Sequence, residues 1–134
     1  MKLTEHFSSE ELGLAKVHDP WVIFKGSIII NMCALIYRVL EPLRIQLNEP
    51  IVITSGYRTP EENKKAGGVE NSQHLKGEAI DFTCKSLKKA FDILAEGNIE
   101  FDQLIYYRSR KFIHISHCVE TNGKKNRKQI IVKP

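Results

Sequence analysis

Ser72-Gln73-His74-Leu75-Lys76-Gly77-Glu78-Ala79-Ile80-Asp81 sets a histidine seven residues ahead of an aspartate, with a glycine between them. Residues 79–84 alternate: Ile80, Phe82 and Cys84 fall on one side, Ala79, Asp81 and Thr83 on the other. That is the period of a half-buried strand, and it turns Asp81 away from the apolar face. Gly77 permits a sharp turn after His74, so the imidazole can fold back beside the carboxylate. A neutral imidazole and a carboxylate are two of the ligand types that zinc takes. The pair alone equally fits a hydrogen-bonded structural contact, so a third ligand decides between the readings.

A third candidate stands in Phe112-Ile113-His114-Ile115-Ser116-His117. As a strand, this run puts Ile113, Ile115 and His117 on the core side and Phe112, His114 and Ser116 on the other. His114 then shares the open face of a sheet with Asp81. His74, Asp81 and His114 would form a three-ligand set with a fourth position left for water, as catalytic zinc sites have, whereas structural sites close with four protein ligands.

Ser72-x-His74-x-x-Gly77-x-Ala79-x-Asp81, followed by His114 on a strand, resembles the M15 family of zinc D-Ala-D-Ala carboxypeptidases and phage endolysin-type peptidases that cut peptidoglycan stem peptides. Ser55-Gly56-Tyr57-Arg58-Thr59 is similar to the family's Ser-Gly-aromatic-Arg segment, and Phe101-Asp102-Gln103-Leu104-Ile105 to the strand entry before the last ligand. The resemblance runs from about Phe7 to Ser116. It implies an α+β fold of the hedgehog/DD-peptidase type, with helices packed on one face of a small, mainly antiparallel sheet. It also implies Zn2+ on His74, Asp81 and His114, and a single peptidase domain over residues 1–134. Arg58 is expected to contact the substrate, because a guanidinium at a strand end can bind a carboxylate or an oxyanion; the competing reading is a salt bridge to Glu61 or Glu62. Ser72 and Gln73, which flank His74, are expected to support the ligand or touch substrate.

In the family, an acidic residue three positions before the last histidine takes the proton. Here that position is Lys111, and the next, a histidine in some relatives, is Phe112. Asp102 is chosen as the substitute; Glu78 and His117 are other candidates, which strand parity places on the face opposite Asp81 and His114, and Tyr106 or Tyr107 could donate a hydrogen bond to an oxyanion. The departure also supports a second reading, a catalytically impaired module that binds cell wall or a phage structural partner.

The 134 residues are 42% hydrophobic and 27% charged, an ordinary globular composition. A net charge of +4 with a pI near 9.0 favours polyanionic surroundings only mildly. Much of the excess lies in Lys124-Lys125-Asn126-Arg127-Lys128, which has no interleaved aromatics and reads as a solvated basic turn rather than a specific nucleic-acid patch. The odd count of three cysteines (Cys33, Cys84 and Cys118) argues against a disulfide framework, and all three are expected to be small core residues. The N-terminus lacks the apolar stretch of a signal peptide, and Ile28-Ile29-Ile30 is too short to span a membrane. A cytoplasmically made monomer that reaches the wall by phage-type release is the expectation.

Along the chain, the spacing predicts a short helix over 10–15, broken by Asp19-Pro20, and a loop from Trp21 that leads into a core helix over 31–47, kinked or bounded at Pro42. A strand over 51–54 follows. Thr59-Pro60-Glu61-Glu62 starts a short helix that ends at Gly67-Gly68. Ser86 is placed as the cap of a helix over Leu87–Glu96, stopped by Gly97. Strands over 104–108 and 112–117 read as a hairpin, with Gln129–Lys133 as a last edge strand.

Overall fold

The computed structural model describes residues 1–14, 22–119 and 125–134, and only the backbone of 22–26. The predicted Asp19-Pro20 break, Ala15, Trp21 and Lys124 lie outside them. The chain folds as α+β. A five-stranded open sheet, in the order β1-β2-β4-β3-β5, is built from β1 (Val52–Ser55), β2 (Ala79–Thr83), β3 (Gln103–Tyr107), β4 (Phe112–Ser116) and β5 (Gln129–Lys133). All neighbours are antiparallel except β3 and β5, which are parallel. The β3–β4 hairpin and the edge position of β5 follow the sequence reading.

The helical side begins earlier than the spacing predicts. α1 spans Val22–Leu35 and includes the Ile28-Ile29-Ile30 run, which carries no residue that would break a helix. It continues through a π-helical turn, Ile36–Leu40, into α2, Glu41–Leu47. Pro42 falls just after this turn, inside the continuous helical run, where it has no N–H to give the preceding turn. The wider turn just before it closes with the Glu41 N–H bonded to the Ile36 carbonyl. Met32, Leu35, Ile36, Val39, Leu40, Leu43 and Leu47 are buried along one side and form, with Ile80, Phe82, Leu94, Leu104, Ile113 and Ile115, the hydrophobic core. α2 ends at Asn48 in the left-handed conformation. α4 (Leu87–Glu96) adds Ala90 and Leu94 to the same core.

α3 (Pro60–Lys65) starts as the sequence predicts. The Thr59 hydroxyl accepts from the Glu62 N–H at 3.2 Å, and the Glu62 carboxylate accepts from the Thr59 N–H at 3.0 Å. Two expectations fail. Residues 9–13 run as tight turns rather than as a helix, because Gly13 takes φ 77° and the Leu14 N–H bonds back to the Ser9 carbonyl at 2.9 Å. Of the three cysteines, only Cys118 is buried; Cys33 lies on the outward side of α1 between buried Met32 and Leu35, and Cys84 is half-buried.

Candidate metal centre

The sheet register brings the ligand candidates together. β2 and β4 pair antiparallel with Asp81 directly opposite His114, the closest cross-strand relation a sheet offers. Their neighbours Ile80, Phe82, Ile113 and Ile115 are fully buried on the helical side, so both polar side chains stand on the other face. His74 comes from a 3-10 turn, Gln73–Lys76, just ahead of β2. The Ser72 hydroxyl accepts from the His74 N–H at 3.2 Å and starts this turn. Gly77 ends it at φ 72° and swings the chain into β2.

Gly77 also allows a close approach: a Cβ there would lie 2.5 Å from the Ile28 carbonyl oxygen. Gly77→Ala is therefore expected to cost at least about 1–2 kcal/mol from the left-handed backbone alone. A melting temperature lowered by several degrees, with loss of the metal group's geometry, checks this.

Donor atoms of His74, Asp81 and His114 lie within 4.8 Å of one another, and the three residues could hold a metal ion. Asp81 Oδ1 is 2.9 Å from His114 Nδ1 and 3.2 Å from His74 Nε2. The other His74 nitrogen, Nδ1, donates to the Gly56 carbonyl at 2.8 Å. A neutral His74 so bonded presents a bare Nε2 lone pair to a carboxylate oxygen, a repulsive contact unless a cation sits between them. Its side chain is only 3% exposed, so water does little to relieve the contact. The donor set thus fits a metal. Burial opposes the charged form of Asp81, but the interactions led by the hydrogen bond from His114 together outweigh it and hold the carboxyl well below the usual carboxylate range.

The supports of the group are themselves fixed. A Cβ on Gly56 would fall 2.2 Å from the Leu12 carbonyl oxygen, and the adjacent Tyr57 N–H donates to that oxygen at 2.8 Å. The loop whose carbonyl orients His74 is therefore pressed against the N-terminal segment. Arg58 spans the site: its guanidinium donates to Ser55 Oγ at 3.0 Å, Asn63 Oδ1 at 3.3 Å and Asp81 Oδ2 at 3.3 Å. Its acidic partner is Asp81, from the sheet, and neither Glu61 nor Glu62.

Beside the metal group, a cleft of about 460 Å³ is lined by residues that include Ser72, Gln73, Glu78, Asp102 and His114. Asp102 is fixed at the start of β3 by its N–H bond to the Ser116 carbonyl at 2.8 Å. Arg127 holds its carboxylate: Nε reaches Oδ1 and the terminal nitrogen Oδ2, both at 2.9 Å, and the Arg127 backbone N–H adds a bond to Oδ1 at 3.1 Å. Burial opposes ionisation of Asp102, and the Arg127 hydrogen bonds outweigh it, so its carboxyl titrates below the usual range. Glu78 is 6% exposed, and its carboxylate has no hydrogen-bond or ion-pair partner among the described residues. Strand parity counted back from Asp81 would turn Glu78 to the opposite face. It lines the cleft because it precedes β2, at the Gly77 turn, where alternation does not yet apply. Gln73 Nε2 lies 3.4 Å from Cys118 Sγ on the same wall.

The family model described as Peptidase M15 matches residues 5–116, a span that contains the three ligand candidates and ends at the last residue of β4. No curated protein matches the chain.

Proposed function

Because the chain belongs to the peptidase M15 family, we propose that it is a zinc-dependent metallopeptidase that cleaves peptidoglycan stem peptides, as a D-Ala-D-Ala carboxypeptidase or an endolysin-type endopeptidase. The observation that carries this reading is the pairing of His74 and His114 nitrogens with one Asp81 oxygen, with the His74 tautomer set by Gly56. When bound there, zinc would lower the pKa of a water and polarise the scissile carbonyl.

The chain's own residues would do the rest. Arg58 gives one N–H to Asp81 and one each to Ser55 and Asn63, which leaves two of its five donors for a substrate oxygen. Ser72 fixes the His74 backbone, and Gln73 lies on the cleft wall where a peptide can meet it. Of the two carboxylates beside His114, Asp102 is the weaker proton acceptor, since Arg127 occupies both its oxygens. We assign it to holding the cleft wall. Glu78, buried and unpaired, takes the proton of the attacking water on its carboxylate and returns it to the leaving amine nitrogen as the C–N bond breaks.

The test is digestion of purified peptidoglycan by zinc-loaded protein, read by mass spectrometry. New amines and shortened stem peptides are expected, and their masses name the bond. Intact stem peptides from a protein that binds zinc would overturn the reading. They would favour the second one, a non-catalytic wall-binding module, which is supported by Lys111 in the position where an acid is expected.

A further inference from the structure

A second pocket adjoins the metal group at the Phe112 end of β4, away from the cleft that holds Glu78 and Asp102. Its volume is about 390 Å³, and it is lined by Thr54, Ser55, Asp81, Thr83, Arg110, Lys111 and Phe112. We propose that this pocket is a carboxylate-binding subsite for the peptide substrate, with Arg110 and Lys111 as its specificity-determining residues. The inference rests on the peptidase reading and adds the chemical group selected beside the scissile bond.

Charge carries the argument. The other two arginines near the site are committed to carboxylates, Arg58 to Asp81 and Arg127 to Asp102. Arg110 and Lys111 have no ion pair with any described residue. The single acid in the pocket wall, Asp81, is already bonded to Arg58 and to two histidines. The pocket therefore presents two uncompensated cations and hydroxyl-bearing side chains.

Both cations are also held in place. The rings of Tyr107 and Phe112 stack at 4.3 Å with 12° between planes, and the Arg110 guanidinium lies 5.0 Å from the Phe112 centroid and 5.8 Å from that of Tyr107. An arginine braced on aromatic faces loses less freedom when it binds, and its fork matches a carboxylate. Lys111 occupies the hairpin turn at φ 57°, and its carbonyl accepts from Thr83 Oγ1 at 2.9 Å. The turn thus fixes where the lysine leaves the backbone. Because Asp81 belongs to both the pocket and the metal group, a carboxylate bound here lies next to the reacting bond. It would be either the free end of the peptide or an acidic side chain beside the bond.

Calorimetric binding separates these sources without relying on turnover. The probes are N-acetyl-D-Ala-D-Ala, its C-terminal amide, and the same amide with D-Glu in place of the last D-Ala. They are titrated into zinc-loaded and metal-free protein. The free acid or the D-Glu amide is expected to bind about tenfold tighter than the neutral amide, the scale of one charge-assisted hydrogen-bond pair. Whichever acid is preferred names the source. Lys111→Ala and Arg110→Gln, both on exposed turn residues, should each erase most of that preference with melting temperature unchanged. Equal binding of acids and amide, no binding of any probe, or a preference that survives both variants would overturn the subsite. Cleavage of peptidoglycan, read separately, would still stand or fall with the peptidase reading.

Discussion

His114→Ala is expected to remove metal binding and peptide cleavage together while leaving the fold intact. The imidazole is one of three ligand candidates and comes from the open face of the sheet, whereas Ile113 and Ile115 on either side of it carry the packing of β4. With it gone, His74 and Asp81 offer two ligands, too few for the three-ligand catalytic arrangement. The Lewis-acid contribution lost is several kcal/mol, on the order of a 10³-fold loss of rate. Equilibrium zinc binding, circular dichroism and product release from the same preparation check all three parts. A variant that still releases stem-peptide products at the wild-type rate would show that the chemistry is not at this site.

Glu78→Gln should have the next largest effect, and of a different kind. The substitution keeps the size of a buried side chain and leaves all three ligand candidates in place, so zinc affinity should change little. Loss of the proton acceptor should lower kcat by about 10²- to 10⁴-fold with a smaller change in KM. Asp102→Asn provides the contrast. It breaks the paired hydrogen bonds with Arg127, so its cost should appear first in stability and in the shape of the cleft wall. If Asp102→Asn lost more kcat than Glu78→Gln, the roles assigned to the two carboxylates would be reversed.

The grouping of His74, Asp81 and His114 was legible because both strand segments alternate cleanly: parity alone put Asp81 and His114 on the open face, and Gly77 announced the turn that returns His74. The capping box at Thr59, the α4 stop at Gly97 and the β3–β4 hairpin are equally local and were equally readable. What could not be read depends on residues distant in sequence. Arg58 has two acids close behind it, but its partner is Asp81, delivered by the β1–β2 pairing. Asp102 meets Arg127 because β5 returns parallel to β3. The early start of α1 was hidden in an apolar run with no helical stripe, and strand alternation, extended one residue beyond β2, turns Glu78 away from the cleft that it in fact lines.

The strand order has a consequence for how the molecule is made. β4 follows β3 in the chain but lies between β3 and β2 in the sheet, so the hairpin must dock onto β2 before His114 can face Asp81. The ligand candidates His74 and Asp81 leave the ribosome well before the third, separated from it by α4 and β3. Contacts of such range form slowly. Metal capture by all three candidates would therefore come late in biogenesis, and zinc uptake during refolding would time the closure of the sheet.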